Sequence, residues 1–371
     1  MKSDRPAVSL AGRAGLARAL HQSRWRLSAL AVMAVLGAAG PMLFDISTLR
    51  LAAEFLTLLA FAQMWNLLAG YAGLVSVGQQ AFVGIGAYAL FASSDRLVIN
   101  PFVCTAFAVA VTGLLAAAFT PLLFRLRGAY FAIGTWVLSE MLRIASLNSE
   151  WLGAGAGLSL ETVGDMYQWT RAAGAYWLAF GSALVSIVLI IGLNCSDYGL
   201  ALTATRDNEE AAASLGVNVE RLKRTLFVIV ASITGGIGGI AYINVLQVNP
   251  DAVFSVNWTA YAIFVVIVGG IGTIEGPILG ALLFFTLRET FSDYGAWYLI
   301  AIGTLAVVTM MFAPNGIWGL LSKKLRWNVF ADRRDVCGEA EKPCNKVAAR
   351  ANWQRAHNRL VGGSSPPGPT I

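Results

Sequence analysis

The stretch TATRDNEEAAASLGVNVERLKR, residues 203–224, is the only long charged segment between two blocks of apolar sequence. Eight of the nineteen residues from Arg206 to Arg224 are charged, whereas charged residues make up 13% of the whole chain. A charged, Ala-rich segment between apolar blocks indicates an element that faces water and contacts a soluble partner.

The middle of this segment carries the signals of a short helix. Asp207 or Asn208 can cap a helix that begins near Glu209, where acidic groups also favour the positive end of the helix dipole. Gly216 suits the left-handed conformation that often closes a helix. A helix of about two turns is unstable alone, so packing against the rest of the protein must hold it. The packing residues that we expect are Ala211, Ala212 and Leu215.

The composition is typical of a membrane protein that crosses the bilayer many times. Of 371 residues, 57% are hydrophobic, and the mean hydropathy is +0.63, far above that of soluble domains. The four cysteines are dispersed, and Cys337, Cys344 and His357 match no standard zinc spacing. We therefore expect an all-α polytopic membrane protein with free cysteines and no metal site.

Ten segments approach the roughly 20 mainly apolar residues that a spanning helix needs. The Gly-rich residues 269–272 predict a turn or a re-entrant segment, so the eighth and ninth spans are the least regular. A basic segment, residues 1–26, precedes the transmembrane domain, 27–321. The mixed-charge tail, 322–371, is expected to be disordered. The predicted spans are Leu27–Phe44, Leu51–Ala69, Tyr71–Ala92, Phe102–Phe124, Ala129–Ser146, Gly174–Leu193, Thr225–Leu246, Trp258–Ile271, Gly276–Thr286 and Gly295–Phe312.

The basic residues predict the orientation. With the N-terminus in the cytoplasm, an alternating count places residues 203–224 and the C-terminus there too, as the positive-inside rule requires. The net charge of +6 is therefore not evidence for nucleic-acid binding. The loop 148–170 lies outside, where it is either a solvated connector or a landing surface for an extracytoplasmic protein. The outside loops hold only Arg50, Arg96, Arg171 and Arg288.

Residues 66–88, NLLAGYAGLVSVGQQAFVGIGAY, combine five glycines with uncharged polar side chains at membrane depth. Amides in lipid are costly unless they bond to other helices or line a wet path, and a Gly-interrupted span is often broken beside a pathway. Tight packing with satisfied amides and a pathway-lining role are equally compatible with this pattern. The candidate pathway residues are Asn66, Ser76, Gln79 and Gln80.

A second Gly-rich motif, residues 269–281, reads GGIGTIEGPILGA. Its glycines at a spacing of four predict one helix face and a close helix crossing, and the seventh span repeats that spacing. Neither motif has the spacing of a dinucleotide-binding or Walker loop, and no Lys follows a Gly, so we expect no ATP hydrolysis by this chain. The packing glycines are Gly235, Gly239, Gly272, Gly276 and Gly280.

Few ionisable groups fall within the predicted spans. Glu140 and Arg143, at i and i+3, can neutralise each other. Glu54 has no local partner, and we interpret its position as interfacial, although an intramembrane carboxylate is also a functional candidate. The only histidines, His21 and His357, lie outside the spans, which excludes a histidine proton relay.

Three stretches together resemble one family, the LivM-type permeases of branched-chain amino acid ABC importers. They are GYAGLVSVGQQAFVGIGAY at 70–88, TRDNEEAAASLGVNVERLKRTLFVIVASITGGIGG at 205–239, and the motif that starts at Val268. The resemblance covers roughly Leu51 to Leu320, including APNGIWGLL at 313–321, and keeps the motifs in order. Glu210-Ala211-Ala212, separated from Gly216 by three residues, matches the "EAA" loop of such permeases.

This resemblance implies that transport, ATP hydrolysis and solute binding are carried out by separate chains. Residues 210–216, flanked by Arg206 and Asp207, would form a coupling helix in a cleft of a separate ATPase subunit. The implied partners are a second permease subunit, two ATP-binding subunits and a periplasmic substrate-binding protein, in a bacterial inner membrane. ATP and Mg²⁺ would bind the ATPase subunits, and this chain would hold no cofactor and have no enzymatic activity.

Two alternatives stay open at this stage. Related permeases serve urea and short amides or aromatic acids instead of branched-chain amino acids, and the motifs do not distinguish them. A stand-alone secondary transporter or channel is the other class, suggested by Glu54 and the Gly-rich spans.

Overall fold

The computed structural model describes residues 37, 39–97, 100–160, 167–291, 297–313 and 316–325. All of them belong to one unit, residues 1–327, and the second unit, 328–371, lies outside the described part. The basic segment 1–26, most of the first predicted span and nearly all of the predicted tail therefore also lie outside it.

Helices make up almost all of the described chain. Helix α2 continues without interruption into a π-helical turn, Leu67–Tyr71. Two 3₁₀ turns, Glu150–Leu152 and Ala154–Ala156, precede β1, Leu158–Ser159, which pairs antiparallel with β2, Gln247–Val248. The helices are α1 Gly40–Leu43, α2 Ile46–Asn66, α3 Gln80–Leu97, α4 Pro101–Leu123, α5 Ala129–Leu147, α6 Gln168–Asn194, α7 Asp197–Asp207, α8 Glu209–Ser214, α9 Val219–Ile243, α10 Pro250–Val253, α11 Val256–Gly269, α12 Glu275–Phe291, α13 Trp297–Phe312 and α14 Gly316–Leu325.

Several helices begin where the sequence supplies a cap. The Asn100 side chain accepts a hydrogen bond from the Phe102 amide, and Pro101 occupies the first position of α4, which needs no donor there. Asn218 accepts from the Arg221 amide at the start of α9 in the same way. Local sequence therefore sets these two helix starts.

Five helical segments within the described residues are long and apolar enough to cross a membrane. A sixth crossing results if the pair Gly303–Phe312 and Gly316–Ser322, bent by 41°, is one span. The chain is thus an α-helical, multi-pass protein, and the tenfold count stays a prediction. The five segments are Ile46–Tyr71, Pro101–Leu123, Gln168–Asn194, Val219–Ile243 and Pro250–Gly269.

Glycines at three helix contacts of the core let the helices approach closely. A Cβ atom added at Gly86 of α3 would lie 1.9 Å from the Gly235 carbonyl oxygen of α9, and one at Gly238 would lie 2.3 Å from the Val83 carbonyl oxygen. One at Gly235 would meet the Thr112 hydroxyl of α4 at 2.1 Å. Helices α3 and α9 therefore pack backbone to backbone, and the Thr112 side chain of α4 packs against the α9 backbone at Gly235.

The bundle has two distinguishable ends. At one, which we call the ladder end (residues 150–160 and 247–257), the β1–β2 pair forms, and Arg96 at the end of α3 donates to the Trp151 carbonyl at 2.6 Å. At the other, the short-helix end (α7, α8, Gly70 and Gly272), Arg206 donates to the Gly70 carbonyl. Helix α2 runs from the ladder end towards the short-helix end.

Three sequence predictions need correction. The third span, Tyr71–Ala92, is not one helix, because residues 73–79 are non-helical and α3 begins at Gln80. Gly272 does not share a helix face with Gly276 and Gly280, since it lies in the turn before α12 with φ +76°. Residues 322–325, predicted to be disordered, continue α14.

Replacing Gly86 with Ala should destabilise the protein by roughly 1–3 kcal/mol, because the new methyl group meets backbone that cannot rotate away. Thermal unfolding of the purified protein in detergent would measure this. Gly181→Ala in α6 is the matched control, since its Cβ would have nothing within 4 Å. Equal unfolding temperatures for the two variants would contradict the close crossing.

Candidate coupling and pathway site

The break between α2 and α3 is held open by specific hydrogen bonds. Gly73 has φ +69°, which turns the chain out of the helix. The Trp65 indole N–H donates to the Ser76 carbonyl at 2.8 Å, and the Val77 and Gly78 amides both donate to the Thr135 hydroxyl at 3.2 Å. Backbone groups that leave the helix ladder thus find partners inside the protein.

A second break, the turn between α11 and α12, is clamped to the end of α2. The Asn66 side chain is fully buried. Its Nδ2 donates to the Thr273 carbonyl and its Oδ1 accepts from the Gly272 amide, both at 2.8 Å. One turn earlier, Gln63 Nε2 donates to the Ile274 carbonyl at 2.8 Å. Both ends of the Asn66 amide are therefore engaged in holding the turn.

The charged stretch reaches both breaks through one side chain. Arg206, near the end of α7, donates from Nη1 to the Gly70 carbonyl and from Nε to Asp207 Oδ1 at 3.3 Å. A Cβ atom added at Gly73 would lie 3.1 Å from Arg206 Cγ. A Cβ atom added at Gly272 would lie 3.5 Å from Arg206 Nη1. The guanidinium thus faces the bundle.

The other three candidate pathway residues are fully buried: Ser76 and Gln79 lie within the first break, and Gln80 begins α3. Gln79 Nε2 donates to the Thr234 hydroxyl of α9 at 3.2 Å, and the Thr259 hydroxyl of α11 donates to Gln80 Oε1. Ser76 Oγ, Gln79 Oε1 and Gln80 Nε2 have no hydrogen-bond partner among the described residues. Three orphaned polar atoms within five residues are unusual in a buried segment.

The predicted short helix is present as α8. The Asn208 side chain accepts from the Ala211 amide at 3.0 Å and so caps the helix, and Gly216, just beyond its end, has φ +89°. Glu210 is exposed. The expected packing was wrong in part, because only Ala212 is buried. Ala211 is exposed, and the Leu215 side chain is 84% exposed, since a six-residue helix turns one face inward.

The packing glycines at the second break make close backbone contacts. A Cβ added at Gly276 would lie 2.4 Å from the Gly270 carbonyl oxygen, and one at Gly280 would lie 1.9 Å from the Val265 carbonyl oxygen of α11. At Gly239 of α9, an added Cβ would meet the Leu90 side chain of α3 at 2.8 Å.

The carboxylates in the spans have arginine partners. Glu140 pairs with Arg143, as the spacing predicted, and Arg143 also donates to Asp251 at 2.6 Å. Glu54, which had no local partner in the sequence, pairs with Arg288 of α12. That pairing joins residues 234 positions apart, so no local pattern could have indicated it.

Sequence reasoning also missed Gln63 and Thr135. Gln63 lies three residues before Asn66, and that spacing places both amides on one helix face, a signal that was available. Thr135 has no such signal, because its role depends on where α5 passes the first break. Within the described residues no group of three His, Cys, Asp or Glu side chains is arranged to hold a metal ion.

Replacing Asn66 with Leu should loosen the turn at 270–275, because the Gly272 amide and the Thr273 carbonyl lose their partners, each worth about 1–3 kcal/mol when buried. Hydrogen–deuterium exchange should accelerate there by at least tenfold. Ser76→Ala is the control, since its hydroxyl bonds to no described residue. Unchanged exchange in the Asn66 variant would show that the clamp is not needed.

Comparison with known proteins identifies the family. The family model described as "Branched-chain amino acid transport system / permease component" matches residues 47–314. The chain is 26% identical over 327 residues to the high-affinity branched-chain amino acid transport system permease protein LivM of Escherichia coli (strain K12), covering 80% of this chain and 76% of that one.

More distant relatives carry related names. The probable branched-chain amino acid transport permease protein LivM of Methanocaldococcus jannaschii is 23% identical over 214 residues, covering 52% of this chain and 61% of its own. The permease protein BraD of Pseudomonas aeruginosa is 29% identical over 139 residues, covering 37% and 44%. No solved structure matches. The chain therefore belongs to the family of branched-chain amino acid transport permease components.

Proposed function

We propose that this chain is the membrane-spanning permease subunit of an ABC importer, which moves branched-chain amino acids across the inner membrane. ATP hydrolysis with Mg²⁺ takes place on two separate ATP-binding subunits. A second permease subunit completes the pathway, and a periplasmic binding protein delivers the solute. The family match and the names of the relatives support this assignment.

The observation that carries the proposal is the position of Arg206. It sits between the exposed α8 on one side and both helix breaks on the other, through Gly70, Gly73 and Gly272. A soluble subunit that moves α8 therefore moves a side chain that contacts both breaks. Arg206 then connects α8 to the two breaks, and Asp207 holds its guanidinium in place.

The face of α8 that contacts the ATPase subunit consists of its exposed residues. Glu210 and Ala211 are exposed in the helix, and Leu215 is a large apolar side chain directed to solvent. Such a side chain at the tip of a short helix is suited to a cleft in a partner. Ala212 faces inward, and Gly216 ends the helix.

The solute path runs beside the first break. Ser76, Gln79 and Gln80 each present an unsatisfied polar atom there, and uncharged groups of this kind suit a polar solute that must not be held tightly. Asn66, with both amide ends engaged, contributes to this path by fixing its wall. Gly235, Gly239, Gly276 and Gly280 allow the close packing around it.

The short-helix end faces the cytoplasm in this proposal, and the ladder end faces the periplasm. The basic residues of the charged stretch favour that orientation, with both termini inside. Residues 148–160, which include β1, then form part of the surface that meets the binding protein. A proton-coupled carrier is disfavoured, because Glu54 and Glu140 are both paired with arginine.

Replacing Glu210 with Lys should reduce ATP-driven uptake of leucine by at least tenfold in vesicles that contain the full complex. The change reverses the charge of an exposed contact residue and opposes the helix dipole. Co-purification of the ATPase subunits with the variant should fall in parallel.

Glu150→Lys is the matched control for this experiment, since it reverses an exposed charge at the ladder end. It should leave co-purification of the ATPase subunits unchanged. Full uptake by the Glu210 variant, with the complex assembled, would contradict the role of α8 in coupling.

Replacing Arg206 with Ala should uncouple the complex without dissociating it. Uptake should fall about tenfold while ATP hydrolysis continues, so that more ATP is consumed for each solute moved. The variant Arg206→Lys keeps the positive charge but lacks the planar guanidinium with its several N–H donors. Its uptake should lie between that of Arg206→Ala and that of the wild type. Arg221→Ala, an exposed position in the first turn of α9, is the control, and an unchanged ATP-to-solute ratio in the Arg206 variant would contradict the link.

A further inference from the structure

A cavity of about 380 Å³ opens at the ladder end, away from the breaks. Helices α2, α9, α11 and α12 enclose it, and Ala252 and Ser255 of the ladder end lie at its rim. Its volume falls within the range of small-molecule sites, roughly 300–1,000 Å³.

The wall of the cavity carries one charge of each sign. Glu54 lies about two turns into α2, and its carboxylate pairs with Arg288 in the last turns of α12. The two side chains are 49% and 40% exposed. An ion pair exposed to this degree contributes little to stability, so its partners can be exchanged at small cost.

The rest of the lining is mainly apolar. The buried Leu58 and Phe284 belong to the lining, as do Trp258 and Tyr261 of α11. The Trp258 indole N–H is directed to the Tyr242 hydroxyl at 3.3 Å. The cavity thus offers an acid and a base on one wall and aromatic and aliphatic carbon on the others.

We propose that this cavity binds a small zwitterion with an apolar side chain, an α-amino acid, at the periplasmic mouth of the permease. The ammonium group of the solute pairs with Glu54, and its carboxylate pairs with Arg288. One ion pair of the protein is thereby replaced by two between protein and solute, and the side chain of the solute contacts the partly exposed Trp258 and Tyr261. This inference rests on the proposed function, because it places an entry site on the same transport route.

The test is binding of radiolabelled leucine to the purified permease–ATPase complex without the binding protein. Wild type should bind leucine saturably, and both Glu54→Gln and Arg288→Gln should weaken binding at least tenfold, which corresponds to ~1.4 kcal/mol. Glu140→Gln is the matched control, since it breaks an ion pair of the same kind on α5, outside the cavity. It should bind leucine as wild type does.

Two analogues separate a binding role from a structural one. 4-Methylpentanoate lacks the ammonium group, and 3-methylbutylamine lacks the carboxylate. Both analogues should compete only weakly with radiolabelled leucine for binding to the wild-type complex. In Glu54→Gln, the affinity for 4-methylpentanoate should rise relative to that for leucine. In Arg288→Gln, the affinity for 3-methylbutylamine should rise relative to that for leucine. A merely structural ion pair would weaken all three ligands alike, and that outcome would overturn the proposal.

The failure of this inference differs from failure of the proposed function. If wild-type complex shows no saturable leucine binding but vesicles with the binding protein import leucine at the expense of ATP, the cavity is not an amino-acid site and the permease function stands. If ATP-driven import itself is absent, the proposed function fails. Unfolding temperatures of the variants, matched to wild type, exclude loss of folding as the cause of weak binding.

Discussion

The fold depends on one constraint: backbone groups released from a helix at membrane depth must find partners within the protein. At two connections of the described chain, between α2 and α3 and between α11 and α12, side chains bond to backbone groups that have no partner within a helix. Thr135 accepts from two amides of the first break, and Asn66 serves the second. Without these side chains, each break would leave buried polar groups at a cost of about 1–3 kcal/mol apiece.

The same constraint explains why the two breaks lie against each other. A Cβ added at Gly70 would stand 2.6 Å from the Gly272 amide nitrogen, so only glycine lets the end of the π-helical turn meet the second turn. Asn66, the last residue of α2, lies four residues before Gly70 and also bonds to that turn. The two breaks therefore contact each other directly, through Gly70 and Asn66 on one side and Gly272 and Thr273 on the other.

The sequence predicted what local rules determine and missed what depends on distant contacts. The cap at Asn208 and the left-handed Gly216 follow from short-range chemistry, and both are as expected. The continuous span 71–92 was wrong, because hydropathy counts apolar residues and does not register that Thr135, on another helix, can satisfy a non-helical backbone. The exposure of Leu215 was missed because the sequence of a six-residue helix does not show which of its faces turns inward.

Three arginines of the bundle illustrate two kinds of contact. At the ladder end, Arg143 and Arg288 pair with carboxylates, which are charged partners that can be exchanged for those of a solute or another protein. At the short-helix end, Arg206 pairs with Asp207 and also donates to the neutral Gly70 carbonyl in the last turn of a helix. A carbonyl in that position carries the negative end of the helix dipole, so the contact persists only while α7 and the end of α2 keep their relative position. The contact of Arg206 with the carbonyl is sensitive to a shift of helices, whereas an arginine on a carboxylate is sensitive to a competing charge. In the importer that we propose, the first property is useful where the ATPase subunit acts and the second where the solute enters.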